Sequence, residues 1–309
     1  MTKEDDVNLT GVMVALATPV YEDGGVDDQG LERLIARVLD GGVVGICPAG
    51  TTGEGASLSL DSRLAVVDAV RRQAPQSMPV VPGIFAESVE AAATEAEAYA
   101  RHGADAVLVS PPHYYILGGE DVIRFLEQVA DRSPLPVVAY HIPAFTKNPV
   151  PAESAARLAA HPAIIGIKDS SRDMEYLLGV TDVLRSAGAG AADLAVMTGT
   201  DTMLLAALGA GASGAIVASA NLVPEMSVGA LQAWGEGRTA IAVRDEAMLR
   251  AVVAACRVGT LPAGWKAALA AAGVCGAALV PPRSPLPAND AANLAERLVE
   301  LGVAGVRRA

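Results

Sequence analysis

The stretch Ile164-Ile165-Gly166-Ile167-Lys168-Asp169-Ser170-Ser171 runs from apolar residues directly into polar ones. A short apolar run with no polar residue inside it is typical of a parallel strand that helices cover on both sides. The polar residues then mark the carboxyl end of the strand. The fold depends on how often the chain repeats this pattern.

Apolar strand patterns alternate with amphipathic helical patterns, and the alternation repeats eight times. The predicted strands are 12–20, 42–47, 78–84, 106–110, 136–142, 164–168, 194–198 and 214–219. The predicted helices that follow them are 27–39, 61–73, 88–101, 120–132, 152–160, 172–186, 201–208 and 224–234. Asp27, Asp61 and Ser88 are the expected N-caps of the first three helices.

Eight strand–helix units predict an α/β fold of the closed (β/α)8 TIM-barrel type, whose usual length is about 250 residues. A doubly wound open sheet is the competing fold. It would place a glycine-rich phosphate turn after the first strand, and Pro19-Val20-Tyr21 has no such pattern. We therefore expect residues 1–237 to form a barrel that carries the catalytic site.

Residues 238–309 are predicted to be a helical extension packed on the barrel, since no linker separates them as an independent domain. Its helices are expected at 239–257, 264–272 and 289–301, with a proline-rich connector before the last one. The glycine- and alanine-rich segment 187–192 is the predicted flexible insertion.

Composition excludes several classes of protein. The 309 residues are 51% hydrophobic and carry a net charge of −12, which argues against a nucleic-acid partner. The polar N-terminal segment MTKEDDVNLT has no apolar core, so we expect no signal peptide. No apolar run is long enough for a membrane span, and three scattered cysteines without a CxxC pair suggest neither disulfides nor a metal site. The expectation is a cytoplasmic protein.

Lys168 is one of only four lysines, against nineteen arginines. Burial at a strand end disfavours the charged form of an amine, and a neutral amine is a nucleophile toward carbonyl carbon. Arginine cannot form a Schiff base, so a lysine at this place suggests imine chemistry. A lysine that extends to solvent, or that pairs with Asp169, explains the stretch equally well.

The carboxyl ends of barrel strands meet at one mouth, so the residues there can be combined. An amine (Lys168), a phenol (Tyr140) and two hydroxyls flanked by glycines (Thr51 and Thr52) are expected to converge, which is equipment for carbonyl chemistry. Each member has a structural alternative. The Gly50–Gly53 segment is also compatible with a plain turn, Tyr140 with a core tyrosine, and Tyr114 with surface packing. Glu54 is interpreted as a carboxylate that orders the loop.

The joint pattern resembles the pyruvate-dependent class I aldolases, the family of dihydrodipicolinate synthase and N-acetylneuraminate lyase. The resemblance covers nearly the whole chain. It rests on motifs in the family's order and spacing: Thr18-Pro19, Gly50-Thr51-Thr52-Gly53-Glu54, Pro111–Tyr115, Tyr140–Pro143 and Gly166-Ile167-Lys168-Asp169. The resemblance implies a (β/α)8 barrel with C-terminal helices, usually assembled as a homotetramer of two tight dimers.

The resemblance also implies roles for individual residues. Lys168 would be the Schiff-base lysine and Tyr140 the general acid–base. Thr51 and Thr52 would bind the pyruvyl carboxylate and relay protons, and Tyr114 would cross a dimer interface into the neighbouring site. Two further positions, Gly199 and Ile216, would line the pyruvate pocket.

One departure from the family pattern concerns substrate. Dihydrodipicolinate synthases carry an arginine two residues after the proline of the tyrosine strand, and here that position is Phe145. A ring cannot clamp a carboxylate. The segments Ile142–Thr146 and Ile167–Ser171 are more similar to those of aldolases for 2-keto-3-deoxy sugar acids and 4-hydroxy-2-oxoglutarate.

The sequence therefore predicts a carbon–carbon lyase that joins or cleaves pyruvate and an aldehyde through an imine on Lys168, with no metal and no organic cofactor. Dihydrodipicolinate synthase activity on aspartate semialdehyde is the first alternative. A dehydratase of keto-deoxy sugar acids is the next. A catalytically silent barrel that senses a keto acid is the alternative from another functional class.

Overall fold

The computed structural model describes residues 7–188 and 193–307. Most of the predicted flexible insertion, residues 189–192, therefore lies outside the described part of the chain. Among the described helices, none combines the length and the apolar character needed to cross a bilayer.

Within the described residues, eight parallel strands form one sheet in the order β2-β1-β8-β7-β6-β5-β4-β3. The strands are β1 (Gly11–Ala15), β2 (Gly45–Cys47), β3 (Gly83–Ile84), β4 (Val107–Val109), β5 (Val137–His141), β6 (Ile164–Asp169), β7 (Ala195–Thr198) and β8 (Gly214–Val217). The sheet closes between its two outer members through a parallel bridge from Ile46 to Val80. The predicted TIM barrel is confirmed.

Helices cover the outside of this barrel and continue beyond it. They are α1 (Asp28–Asp40), α2 (Leu60–Gln73), α3 (Val89–Arg101), α4 (Gly119–Arg132), α5 (Pro143–Thr146), α6 (Ala155–Ala159), α7 (Met174–Ala187), α8 (Leu204–Ala210), α9 (Pro224–Gly235), α10 (Thr239–Cys256), α11 (Ala263–Ala271) and α12 (Ala288–Glu300). Short 3-10 turns occupy Gly55–Ser57, Ala152–Ser154 and Ser219–Asn221.

Two of the three predicted N-caps are confirmed. The side chain of Asp27 accepts a hydrogen bond from the backbone N–H of Gly30, and that of Ser88 accepts one from Ala91. The Asp61 prediction is wrong. Ser59 caps α2 by accepting from the N–H of Ser62, because its hydroxyl lies just before the first helical turn and reaches a free N–H there.

The third strand is much shorter than predicted. The prediction covered 78–84, whereas β3 has only two residues. Pro79 and Pro82 lie in this segment, and a proline has no N–H to donate to a neighbouring strand. Regular pairing therefore begins only at Gly83, and Ile46 makes the closing contacts by donating to the carbonyl of Pro79 and accepting from the N–H of Val81, each at 2.9 Å.

Alternate residues of each strand point into the barrel, as the two-residue period of a strand requires. The barrel interior is filled by an apolar cluster that ends in Tyr140 at the upper rim. Its buried members are Leu9, Met13, Ala15, Cys47, Val81, Ala106, Leu108, Val138, Tyr140, Ile142, Met197 and Ile216. The larger aliphatic cluster packs between strands and helices. The barrel interior is thus packed with side chains below the carboxyl ends of the strands.

The extension contacts the barrel through polar as well as apolar groups. Glu246 of α10 accepts a hydrogen bond from the backbone N–H of Leu205 at 2.9 Å, and Arg33 of α1 donates to the carbonyl of Val274 at 2.8 Å. After α10 the chain turns over the carboxyl end of the barrel, where Leu261 and Trp265 line the same cavity as the strand ends.

Candidate active site

The pairing of β5 with β6 places the phenol and the amine side by side. Tyr140 and Lys168 are direct partners in the register of these two strands, so both side chains enter the barrel at the same level. Lys168 is only 4% exposed, and its Nζ lies 4.3 Å from the centre of the Tyr140 ring. A cation over an aromatic face at this distance is favourable.

Neither structural alternative for Lys168 describes what is observed. The side chain does not extend to solvent. Asp169 accepts a hydrogen bond from the N–H of Ser171 at 2.8 Å, and no carboxylate oxygen of the described residues lies within 4.0 Å of the lysine Nζ. The amine therefore faces a phenol and a cavity instead of a counter-ion.

The turn after β2 brings a hydroxyl to the other side of the phenol. Thr51 Oγ1 lies 3.3 Å from the Tyr140 hydroxyl. The turn is tight, because a Cβ on Gly53 would stand 2.6 Å from the carbonyl oxygen of Leu16. Thr18 holds the turn by donating its hydroxyl to the carbonyl of Gly53 at 2.7 Å. The glycine is required here by the close approach of two backbones.

Ser170 contributes a second hydroxyl beside the phenol, and the sequence analysis did not predict it as a site residue. Its Oγ donates to the Tyr140 hydroxyl at 3.5 Å. With Thr51 it forms a chain of three hydroxyls. The two contacts are long, as catalytic hydrogen bonds often are before substrate binds. The spacing in the sequence could have identified Ser170 as a site residue, since it follows Lys168 by two residues and points to the same side of the strand.

A cavity of about 370 Å³ opens above these groups. Thr51, Thr52, Gly199, Ile216 and Phe145 are among the residues that line it. Gly199 makes room for the lysine, because a Cβ there would lie 2.8 Å from Lys168 Cε. Phe145 is 57% exposed at the rim.

Cys47 lies inside the barrel below the cavity. Burial raises the pKa of its thiol to about 11, and the nearby Lys168 opposes this shift. A buried thiol with a raised pKa stays protonated and is inert as a nucleophile. The cysteine therefore does not compete with the amine.

Glu54 follows the threonine turn and lies in a buried ion cluster. Its carboxylate contacts Lys266 Nζ at 2.5 Å and Arg283 at 3.0 Å, and accepts from the N–H of Val280 at 2.9 Å. Its backbone is in the left-handed region, with φ of 59°. These contacts fit the loop-ordering role expected for this carboxylate, since they tie the turn to the C-terminal segment.

Tyr114 is placed outside this chain's own cavity. Its side chain is 78% exposed and packs edge to face against Tyr115, with ring centroids 5.0 Å apart. It is not among the residues that line the amine's cavity. A role for Tyr114 in the chemistry would require it to act in a neighbouring molecule.

Several cavity residues come from segments for which no role in the site was predicted: Arg172, Asp201, Arg257, Leu261 and Trp265. Arg172 follows the lysine by four residues and could have been noticed. The last three belong to the extension, and periodicity alone does not reveal which of its residues cover the barrel mouth.

The arrangement supplies the parts of an imine-forming site. A buried amine can attack a carbonyl carbon, an adjacent phenol and hydroxyls can move protons, and a hydroxyl-rich turn can hold a carboxylate. No group of three or more potential metal ligands was found among the described residues.

Comparisons with known proteins agree with this geometry. The family model described as "Dihydrodipicolinate synthetase family" matches residues 8–301. An uncharacterised DapA-like lyase of Halobacterium salinarum is 34% identical over 299 residues, covering 97% of this chain and 96% of its own. A 4-hydroxy-tetrahydrodipicolinate synthase of Acidiphilium cryptum is 34% identical over 237 residues, covering 76% of this chain and 79% of its own.

Solved structures give the same result. A monomeric dihydrodipicolinate synthase variant superposes with a TM-score of 0.90 at 28% identity, covering 95% of this chain and 97% of its own. YagE, a prophage protein of the dihydrodipicolinic acid synthase family from E. coli K12 solved with pyruvate, superposes with a TM-score of 0.88 at 29% identity, covering 96% and 99%. The chain therefore belongs to the dihydrodipicolinate synthetase family and is a pyruvate-dependent carbon–carbon lyase.

Proposed function

We propose that this protein is a Schiff-base aldolase that forms or cleaves the bond between pyruvate and an aldehyde, of the 2-keto-3-deoxy sugar acid or 4-hydroxy-2-oxoglutarate type. The observation that carries the proposal is the placement of Lys168 beside Tyr140 at one level of the barrel, in a cavity, with no carboxylate oxygen of the described residues within 4.0 Å of its Nζ.

The covalent step uses the amine of Lys168. Its lone pair attacks the C2 carbonyl of the keto acid, the carbinolamine loses water, and a protonated imine remains. Thr51 and Thr52 would bind the adjacent carboxylate through hydroxyl and backbone N–H donors. Gly199 and Ile216 would contact the three-carbon unit, because both line the cavity around the lysine.

Cleavage then needs one base. Tyr140 gives its proton to the departing hydroxyl of the carbinolamine, and the phenolate that remains, hydrogen-bonded by Thr51 and Ser170, takes the proton of the C4 hydroxyl and later returns it to C3. The C3–C4 electron pair moves into the imine to give an enamine, and the aldehyde leaves. The enamine is protonated at C3, and water releases pyruvate and restores the amine. The protonated imine accepts the electron pair, so this mechanism uses no metal or organic cofactor.

The acceptor aldehyde would lie toward Phe145. An aldehyde whose carboxylate needs an arginine at this position would lose a charge-assisted hydrogen bond there, on the order of 1.5–3 kcal/mol. Synthase activity with aspartate semialdehyde is the second candidate, favoured by the relatives named 4-hydroxy-tetrahydrodipicolinate synthase.

Borohydride reduction in the presence of pyruvate tests the proposal. We expect one reduced pyruvyl group on the peptide that contains Lys168, with Lys147 and Lys266 unlabelled. Turnover is then read by product mass, with pyruvate and a panel of aldehydes that includes glyceraldehyde, glyoxylate and aspartate semialdehyde. Labelling of a different lysine would overturn the assignment, and turnover of aspartate semialdehyde alone would select the synthase.

We further propose that the active species contains at least two chains and is a homotetramer. Tyr114, Tyr115 and Ile116 form a run of large side chains, each more than two-thirds exposed. Exposed apolar side chains in one patch are typical of an interaction surface. Sedimentation at the concentrations used for kinetics tests this, and a monomer with full activity would contradict it.

A further inference from the structure

Two arginines line the same cavity as Lys168. Arg172 lies in the loop between β6 and α7, and Arg257 lies directly after the end of α10. They come from chain segments 85 positions apart, since 257 − 172 = 85. Their convergence at one mouth is therefore a product of the fold and not of a local motif.

Neither arginine is neutralised within the chain. No carboxylate oxygen of the described residues lies within 4.0 Å of either guanidinium. Asp201 also lines the cavity, but one of its oxygens accepts from the N–H of Ser219 at 2.6 Å. Most arginines described elsewhere in this acidic chain have a carboxylate partner, as Arg157 has with Glu120. Two arginines without a partner at a cavity wall are available to a bound anion.

The two guanidiniums are close enough to influence each other. Burial lowers the pKa of Arg257, Arg172 lowers it further by repulsion, and Asp201 opposes both effects. Two like charges held near each other are relieved when an anion lies between them. Arginine suits this task because its planar fork can bind carboxylate or phosphate through two parallel hydrogen bonds.

The backbone of Arg172 supports the same conclusion. Its φ is 67°, in the left-handed region that residues other than glycine rarely adopt. Unfavourable backbone conformations are concentrated at ligand-binding positions. Here the conformation occurs in a loop residue that lines the cavity.

We propose that Arg172 and Arg257 bind an anionic group, carboxylate or phosphate, at the end of the substrate remote from the keto acid. This deepens the proposed function and rests on it. The near end of the substrate is held at Lys168, and the far end would meet the arginines at the wall formed by the β6 loop and the extension. The preferred substrates are then keto acids that carry a second anion, such as hydroxylated 2-keto dicarboxylates or phosphorylated keto-deoxy sugar acids.

The test compares keto acids that differ only in the charge of the remote end. Borohydride trapping on Lys168 is measured against concentration for 2-oxoglutarate and for 2-oxopentanoate, and again for 2-oxoadipate and 2-oxohexanoate. We expect the wild-type protein to be half-labelled at a concentration about 10-fold or more lower for the charged member of at least one pair.

Arg172→Gln and Arg257→Gln should each remove most of this preference, by raising the half-labelling concentration of the charged keto acid more than that of its uncharged counterpart. Arg244→Gln is the matched control, because Arg244 is an exposed arginine of α10 paired with Asp245. A phosphate arm compares turnover of pyruvate with glyceraldehyde 3-phosphate and with glyceraldehyde in the same proteins. If the preference for the keto dicarboxylate depends on both arginines, the bound anion is a carboxylate. If the preference for glyceraldehyde 3-phosphate depends on both, the bound anion is a phosphate.

The outcomes separate the two proposals. If pyruvate labels Lys168 but neither anion is preferred, or if the preference survives both substitutions, the anion site is wrong and the aldolase proposal stands. If pyruvate does not label Lys168 at all, the proposed function fails and this inference fails with it.

Discussion

Two lysines are buried in the described part of the chain, and they have opposite surroundings. Lys266 is completely buried, contacts Glu54 at 2.5 Å and donates to the carbonyl of Ala278 at 2.8 Å. Lys168 is almost as buried but lies over the ring of Tyr140 beneath an open cavity. Burial alone therefore does not identify a reactive lysine. The difference is whether a carboxylate holds the ammonium form.

The pair also shows how a single chain separates structural from chemical use of one residue type. Burial lowers the pKa of Lys266, whereas Glu54 acts in the opposite direction and fixes the amine in a hydrogen-bonded cluster. An amine held in this way cannot approach a carbonyl carbon. Whether the two lysines differ in this way can be tested by four measurements.

The largest effect is expected from Lys168→Arg. Arginine keeps a positive charge but cannot form an imine, so turnover should fall by about 10⁴-fold or more, the scale on which loss of a covalent nucleophile acts. The unfolding midpoint should change little. The measurement is kcat with the best aldehyde, alongside borohydride trapping. Residual turnover above about 1% of wild type, which is a loss of less than ~10²-fold, would contradict this. It would mean that the positive charge of residue 168 contributes more to turnover than an imine-forming amine does.

Lys266→Met should act on stability instead. Removing one partner from a buried ion cluster leaves the carboxylate of Glu54 under-compensated, at a cost of about 3–5 kcal/mol. Denaturant unfolding measures this, with Lys147→Met as the surface control. The double variant Lys266→Met with Glu54→Gln should recover part of the loss. Equal stability of wild type and Lys266→Met would remove the structural half of the comparison.

Tyr140→Phe keeps the ring beneath Lys168 but removes the hydroxyl. Turnover should fall by roughly 10²-fold, as for a lost general acid–base, while borohydride trapping with pyruvate persists. Ser170→Ala should have a smaller effect, because the contact with Thr51 remains. Loss of trapping in Tyr140→Phe would show that the phenol is needed to form the imine itself.

His141 extends the comparison to a third buried base, one that stays neutral. It stacks on Tyr176 with centroids 3.7 Å apart, and its Nδ1 accepts from the N–H of Val150. Burial lowers the pKa of His141 to about 4. Between pH 6.5 and about 4 the unfolded chain binds a proton that the native chain does not, so stability should fall as pH is lowered, by up to about 3 kcal/mol in total.

Urea unfolding between pH 4.5 and 7.5 measures this slope. His141→Gln should flatten it, because Gln does not titrate in this range. His102→Gln should leave it in place, since His102 is only partly buried and pairs with Asp68. Equal slopes in wild type and His141→Gln would assign the acid sensitivity to other groups.

Much of the fold could be predicted from the sequence. Each buried parallel strand is apolar throughout, and the apolar residues of each amphipathic helix recur about every 3.6 positions. The residues at which strands and helices end could not be predicted in the same way. The first strand was predicted to run to residue 20, but β1 ends at Ala15. All five residues from Leu16 to Val20 are buried although they lie beyond β1, and buried residues outside a strand have the same apolar character as those inside one. The four-residue helix α5 was missed, since so short an element has no period to read.

The site divides in the same way. The strand-borne residues Tyr140 and Lys168 could be placed, because consecutive parallel strands are neighbours and their carboxyl ends meet. Arg257 and Trp265 could not be placed, since they reach the cavity through the path of a C-terminal segment that no strand register fixes. The substitution at Phe145 was interpreted as loss of a cation. The structure brings two other cations to the same cavity.

The contact between Glu54 and the N–H of Val280 has a consequence for how the protein is made. The two residues are 226 positions apart. At roughly 5–20 residues per second, a ribosome needs on the order of 10–45 s to cover that distance. During this interval the early strands can pair and Thr18 can hold the turn bearing Thr51 and Thr52, but Glu54 still lacks Lys266, Val280 and Arg283. The nascent chain thus completes the anchoring of this turn only when translation is nearly finished.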